Sequence, residues 1–526
     1  MVCFSFAFKS KEAVKGKIQI VDLFAGPGGL GEGFASFKHR RMARPFHIAM
    51  SVEKEPNAHK TLELRAFFRQ FRTPPDDYYN YIRGAIGREE LFCRYSSQAE
   101  RAREETLYGP RELGPGAGHD ELIYERLSAV VRGAGAEAPK VVIGGPPCQA
   151  YSLVGRARNR GVRGYKAEQD RRHFLYEEYL KVLHTARPAV FVMENVKGIL
   201  SSRVNGKHIF PRLVEDLHCP DASLRKKVLR TSRYRIFSLV NGTELNELSG
   251  TGRDCVIRSE DFGVPQARHR VILLGVREDI SAVPGTLSAH GKKVVSGEIL
   301  DDLPKLRSGL SKAPDSASAW ESALKRQAAR VAIELKKHGL DPRAATDAAK
   351  ASTRRKNRGG RFVHSRKKYG GPEHLAQWIP DPRLRGLPNH ETRGHMESDL
   401  ARYLYCSCYA QQSGGASPRS HGFPEVFAPN HASWESGKFA DRFKVQSRDR
   451  PASTITSHIS KDGHYFIHYD SSQCRSLTVR EAARLQTFPD NYFFEGGRTQ
   501  QYVQVGNAVP PWLARQIAAI VYELVA

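Results

Sequence analysis

The chain reads as an α/β protein built on a doubly wound, mostly parallel sheet. Three observations support this. Apolar runs of strand length alternate with helical stretches as far as about residue 277. The first run ends in a glycine-rich turn and the next one in an acid, Glu53. Two later runs end in a thiol turn and in a carboxylate, at the strand edges where such sheets bind ligands.

Ile18-Gln19-Ile20-Val21-Asp22-Leu23-Phe24 is the first run, and Ala25-Gly26-Pro27-Gly28-Gly29-Leu30-Gly31 turns it into a helix. Phe46 to Val52 is the second strand, closed by Glu53. A strand, glycine turn, helix, strand and acid suit a nucleoside cofactor, because glycine lets backbone approach the ligand and a carboxylate takes ribose hydroxyls. No G-K-[ST] ending follows, which argues against a phosphate-gripping loop. Residues 55 to 140 are polar and helical and read as a surface insertion, with glycines around Gly109 to Gly118. Val141-Val142-Ile143 is a buried strand that Gly144-Gly145-Pro146-Pro147 stops abruptly before Cys148 and Gln149. Leu175 to Leu183 is an amphipathic helix leading to the strand Val190-Phe191-Val192-Met193, which ends in Glu194-Asn195-Val196. Tyr234 to Val240, Asp254 to Ile257 and Val271 to Val276 are further strands. A thiol and an acid facing one crevice suggest a cysteine nucleophile attacking an electron-poor ring; amide hydrolysis would call for a Cys-His pair.

Beyond residue 278 strands are hard to find and basic clusters appear. Ala351 to Gly370 holds eight Lys and Arg residues and no acid, with Phe362, His364 and Tyr369 interleaved, as a phosphate-contacting loop would. Regular patterning returns with Thr478, an N-cap followed three residues later by Glu481, and with a last helix from Trp512 to Leu524. The net charge of +26 points to a polyanionic partner, most simply nucleic acid. Eight cysteines are scattered without a paired framework, which suits a reducing cytoplasm. No C-x-x-C pair occurs, and the irregular spacing of His390, His395, Cys406 and Cys408 argues against a metal. No apolar stretch approaches the roughly 20 residues of a membrane span.

Taken in order, DLFAGPGGLGEGF (Asp22 to Phe34), Glu53, GGPPCQAYS (Gly144 to Ser152), DRRHFLYEEYL (Asp170 to Leu180), ENV (Glu194 to Val196), QARHRV (Gln266 to Val271), RSLTVREAARLQTFPD (Arg475 to Asp490) and QVGNAVPP (Gln504 to Pro511) resemble the DNA cytosine-5 methyltransferase family of prokaryotic restriction-modification systems. The resemblance covers roughly 1–277 and 440–526. It implies the methyltransferase version of the Rossmann-like sheet over 1–277, a smaller target-recognition region with a basic insertion over 278–464, and a C-terminal segment, 465–526, returning to the catalytic domain. It implies S-adenosylmethionine as methyl donor, leaving as S-adenosylhomocysteine, and no metal. Phe24, Gly26, Gly28, Gly29, Leu30, Glu53, Pro147 and Asn507 would bind that donor. Cys148 would add to cytosine C6, Glu194 would hydrogen-bond or protonate N3, and Arg268 or, more so, Arg270 would contact O2. Gln149, Ser152, Arg156, Arg158 and Gln266 would touch DNA, and the glycines and arginines after Cys148 would form a closing loop around a flipped base. The expected setting is a cytoplasmic, nucleoid-associated monomer acting on double-stranded DNA, functionally paired with a restriction endonuclease. A tRNA methyltransferase of the same superfamily is the competing reading, disfavoured by the long region between 278 and 440. Intact Cys148 and Glu194 disfavour a non-catalytic relative. Two departures from the family pattern stand out: Lys54 follows Glu53 where relatives often carry an apolar residue beside the adenine, and no Gly-Asp-Ile block appears, although Asp76, Asp77 and Ile86 lie in its interval.

Overall fold

The computed structural model describes residues 16–40, 42–114, 120–133, 139–146, 175–204, 206–225, 231–245, 252–353, 356–419, 422–429, 434 and 442–526. Its centre is an eight-stranded sheet: β1 (Ile18–Leu23), β2 (Phe46–Val52), β3 (Lys140–Gly144), β4 (Val190–Val196), β5 (Tyr234–Ser238), β6 (Glu244–Leu245), β7 (Val256–Arg258) and β8 (His269–Arg277). The order is β2-β1-β3-β4-β8-β5-β6, with β7 on β8. Strands β2, β1, β3 and β4 run parallel. Strand β8 is antiparallel to both β4 and β5, so β5 points the same way as β4 with one reversed strand between them. The parallel strands carry apolar side chains on both faces because helices cover both, and β1 is buried except at Gln19. The predicted strand at Asp254 to Ile257 is displaced: Arg253–Cys255 forms a 3-10 turn and pairing begins at Val256.

Helix α1 (Gly29–Ser36) contains three glycines, each costing about 1 kcal/mol relative to alanine in a helix. Close packing explains them. A Cβ at Gly29 would lie 2.3 Å from the Val509 carbonyl oxygen, one at Gly31 would lie 2.8 Å from Asp22 Oδ2, and one at Gly33 would lie 2.4 Å from Ala514 Cβ. The helix therefore sinks between β1 and the last helix of the chain.

Asp22 is 1% exposed. Burial pushes its carboxyl from 3.8 up to about 8, against the pull of Arg69 and of the Gly31 amide. The folded chain thus holds a proton that the unfolded chain has released, and this contribution to stability is present below about pH 4 and lost as pH rises through about 8. Asp22→Asn removes the effect. In urea unfolding followed between pH 5 and 8, the wild type should lose up to about 1.4 kcal/mol per pH unit relative to the variant. Parallel pH profiles for the two proteins would contradict the assignment.

Between β2 and β3 lie α2 (Pro56–Arg69) and further helices at Asp76–Arg83, Arg88–Arg94, Ser96–Glu105 and Asp120–Gly133. The sequence suggested a surface insertion. Instead Phe67, Tyr78, Tyr79, Tyr81 and Phe92 form an aromatic core that also takes in Leu384 and Phe493. Average polarity hid this core, because charged residues occupy the outer face of each short helix.

The second unit packs α3 (Ala317–Lys337) against α4 (Glu397–Gln412) around Trp320, Leu324, Val331, Leu400 and Leu404. Its core runs on through α5 (Val479–Leu485) and α6 (Arg498–Asn507) to Ala508. Only the chain from Val509 onward, chiefly α7 (Pro511–Val525), joins the core on the sheet. Of the stretch 465–526, the last helix and the residues just before it join the core on the sheet, while Asn491, Phe493 and Glu495 reach back to the helices between β2 and β3. Among the described residues, no helix is long and apolar enough to cross a membrane.

Candidate active site

Strand β1 ends in a loop held by unusual backbone. Phe24, Gly26 and Gly28 all have left-handed φ values, of 54°, 59° and 96°. For phenylalanine this conformation costs about 1–2 kcal/mol, a strain typical of ligand clamps. Glu53, at the end of β2, braces the loop: Oε2 accepts from Gly26 N at 2.7 Å and Oε1 from Glu55 N at 2.7 Å. Burial raises its pKa against these amides. Each carboxylate oxygen keeps a lone pair for a further donor such as a ribose hydroxyl. The opening amides of α1 lack intrahelical partners and face the same end of the sheet. A bare-backbone loop beside a braced acid fits a nucleoside-bearing methyl donor. Leu30 is 6% exposed with its side chain in the core, so only its backbone reaches the loop. Asn507 is exposed at the end of α6.

Asp76 and Asp77 do not approach Glu53; they pair with Arg383 at 2.6 Å and Arg94 at 2.9 Å. Instead Arg111 N donates to the Glu53 carbonyl at 2.8 Å, and Lys54 Nζ meets Glu112 Oε1 at 2.8 Å. The stretch beside the acid is therefore 111–112, reached after four helices, too far along the chain for spacing to reveal.

Two strands away, Glu194 sits at the end of β4. Its Oε1 pairs with Arg270 Nε at 2.8 Å, both side chains being about 14% exposed or less. The register of β4 and β8 creates this pair by setting Glu194 opposite Ile272 and Val196 opposite Arg270. A Cβ on Gly145 would lie 2.7 Å from Glu194 Oε2, so glycine there lets the turn after β3 run against the carboxylate. The turn is described as far as Pro146; Pro147, Cys148, Gln149, Ser152, Arg156 and Arg158 lie outside the described residues.

Arg268 and Arg270, two residues apart, serve different ends. Arg268 is 1% exposed and its Nη1 donates to the carbonyls of Ile455 (2.7 Å) and Gly506 (3.2 Å). These bonds clamp the two units together. Gln266 is likewise placed inside rather than at a DNA-facing surface. Its Oε1 accepts from Ile455 N at 2.6 Å, and its Nε2 donates to Leu485 O at 3.2 Å and Gln486 Oε1 at 3.1 Å. Both residues are polar because they satisfy buried backbone, which sequence alone does not distinguish from exposure.

The Thr478 cap forms as expected: Thr478 Oγ1 accepts from Glu481 N at 3.2 Å, and Glu481 Oε2 accepts from Thr478 N at 2.7 Å. A buried ion pair accompanies it, since Arg475 donates to both Glu481 oxygens at 2.6 and 2.7 Å. Burial alone would raise the Glu481 pKa, and Arg475 outweighs it and holds the group ionised. His390 also belongs here, with ring nitrogens 2.9 Å from Thr478 Oγ1 and 3.0 Å from Pro304 O. In the basic stretch, Arg358 pairs with Asp315 at 3.1 Å and Arg361 lies over the rings of Tyr81 and Phe493. Arg366, Lys367 and Lys368 are exposed.

A reversed strand between two parallel ones, with a glycine loop and an acid at the strand ends, defines an S-adenosylmethionine-dependent methyltransferase fold. A solved Escherichia coli chain, prophage-encoded and assigned as a DNA modification methyltransferase, shares it with a TM-score of 0.50 at 17% identity, over 97% of this chain and 99% of that one. Residues 132–236 and 244–523 match the C-5 cytosine-specific DNA methylases, and the chain belongs to that family. It is 32% identical to Type II methyltransferase M.Bpa9945I of Bacillus paralicheniformis, over 96% of this chain and 99% of the relative. It is 26% identical to DNA (cytosine-5-)-methyltransferase M.ApeKI of Aeropyrum pernix, over 73% of this chain and 81% of the relative. The protein is accordingly a DNA cytosine-5 methyltransferase of restriction-modification type.

Proposed function

We propose that the enzyme methylates C5 of one cytosine within a specific double-stranded DNA sequence, through a covalent bond from Cys148 to C6 of a base rotated out of the duplex. The observation that carries this reading is the Glu194–Arg270 pair against Gly145, in the peptide that leads to Cys148. C5 of cytosine is too weak a nucleophile to accept a methyl group unaided. Addition of the Cys148 thiolate to C6 pushes electron density to C5. Glu194 holds N3 by a hydrogen bond as charge builds there, and Arg270, which already orients Glu194, reaches O2. Bound S-adenosylmethionine supplies the electrophilic methyl group. The loop from Phe24 to Gly29 and the Glu53 carboxylate hold that donor, so that C5 can take the methyl group. A water or another base then takes the C5 proton, which expels the thiolate and restores the ring. Rotating the base out costs a few kcal/mol, offset by contacts in the pocket and on the phosphates. Pairing with a restriction endonuclease of the same specificity completes the proposal.

The test offers purified enzyme and labelled S-adenosylmethionine to duplex DNA and to tRNA separately. Label should enter duplex DNA alone. Label on tRNA alone, or on neither, overturns the proposal. Bisulfite sequencing of DNA from expressing cells then gives the methylated sequence, which should recur at every modified site.

A further inference from the structure

Tyr492 lies in the second unit, on the turn after α5, yet it touches the glycine loop. Its side chain is wholly buried, with the ring 4.8 Å from that of Phe488 and 5.5 Å from that of Phe494. Its hydroxyl donates to the carbonyl of Pro27. The same hydroxyl stands 3.0 Å from the point a Cβ on Gly28 would occupy. The next residue back continues the grip. Asn491 Oδ1 accepts from Arg65 Nη1 at 3.0 Å, while Arg65 holds Glu32 of α1 through bonds of 2.5 and 2.8 Å. Residues 491–492 thus hold both the loop and the helix that follows it.

Within the first unit, the loop is braced by Gly28 N on Ala25 O and by Gly26 N on Glu53. The Gly28 N–H belongs to the Pro27–Gly28 peptide, so its bond to Ala25 O holds one side of that plane. Gly28 adopts a φ of 96°, and glycine has a broad range of alternatives, so a second anchor on the same peptide narrows the range further. The Tyr492 hydroxyl is that second anchor, on the carbonyl side and from the other unit. Turning the plane would redirect the first amides of α1, which are the groups facing the donor.

We infer that Tyr492 is a positioning residue for the methyl donor: it sets the glycine loop from the recognition side of the molecule, so that donor affinity depends on how residues 491–492 dock. The inference rests on the donor-binding reading of Phe24 to Gly29 and Glu53.

Tyr492→Phe keeps the ring and removes only the hydroxyl. S-adenosylhomocysteine binding to the full-length chain, measured by calorimetry without DNA, should weaken by about tenfold, the usual worth of one such hydrogen bond. The KM for S-adenosylmethionine should rise in step, with kcat within about twofold and the melting temperature of the free protein little changed. A 4-fluorophenylalanine at position 492 refills the hydroxyl's volume without its proton and should show the same loss. That variant also serves if Tyr492→Phe folds poorly. Unchanged affinity in either folded variant, or a fall in kcat at constant KM, overturns the inference while leaving the donor site standing. A wild-type chain that binds no S-adenosylhomocysteine instead removes the donor reading itself.

Discussion

Cys148→Ala should abolish methyl transfer while leaving duplex binding within a few-fold of wild type. The thiol is the only protein group in the proposed chemistry that bonds to the base, and alanine leaves nothing to add to C6. The phosphate contacts that dominate affinity for DNA come from Lys and Arg elsewhere, so the two activities separate. A free cysteine titrates near 8.5, leaving only a few per cent thiolate at neutral pH, and a turn before a helix or nearby cations raise that share. Turnover should therefore climb with pH through the thiol's own titration. Duplex carrying 5-fluorocytosine at the modified position should trap the wild-type protein as a covalent adduct, because fluorine cannot leave as the C5 proton does. Peptide mapping should find the adduct at Cys148. Near-wild-type turnover by Cys148→Ala, or an adduct mapped to another residue, would refute the nucleophile.

Glu194→Gln should lower kcat by about 100-fold to 10,000-fold, the span typical of losing a positioned acid or base. Glutamine matches the shape of the carboxylate and can still donate to N3, but it carries no charge to balance protonation there. It also leaves the Arg270 guanidinium without the carboxylate 2.8 Å away. The measurement is single-turnover transfer at saturating donor and duplex, with donor affinity as the control. Affinity should stay close to wild type, since Glu194 lies across the sheet from the glycine loop, beyond β3. A drop in donor affinity without a drop in the transfer rate would move Glu194 out of the chemistry and into the donor site.

Some of this was legible in the residues and some was not, for physical reasons. Strand β2 matches its largely apolar run, Phe46 to Val52, residue for residue, because six of its seven residues are buried and only His47 is exposed. The reversal of β8 was not legible, since periodicity carries no direction and Val271 to Val276 reads the same either way. The glycine loop and Glu53 could be paired because they end adjacent strands. Arg268 and Arg270 could not be told apart: one serves backbone carbonyls 187 and 238 residues further along the chain, the other a carboxylate on the next strand. Tyr492 escaped notice for the same reason, its partner being 465 residues away.

The glycines of α1 have a further consequence for how the chain is assembled. Gly29 and Gly33 leave room for Val509 and Ala514, residues synthesised nearly five hundred positions later. During translation the first sheet must wait with that flank uncovered while the whole second unit is made. Closing so long a loop is entropically slow rather than prohibitive. The sheet's flank is thus covered late, and a ribosome that stalls within α7 leaves a chain whose second core is complete but whose first sheet still lacks a supporting wall.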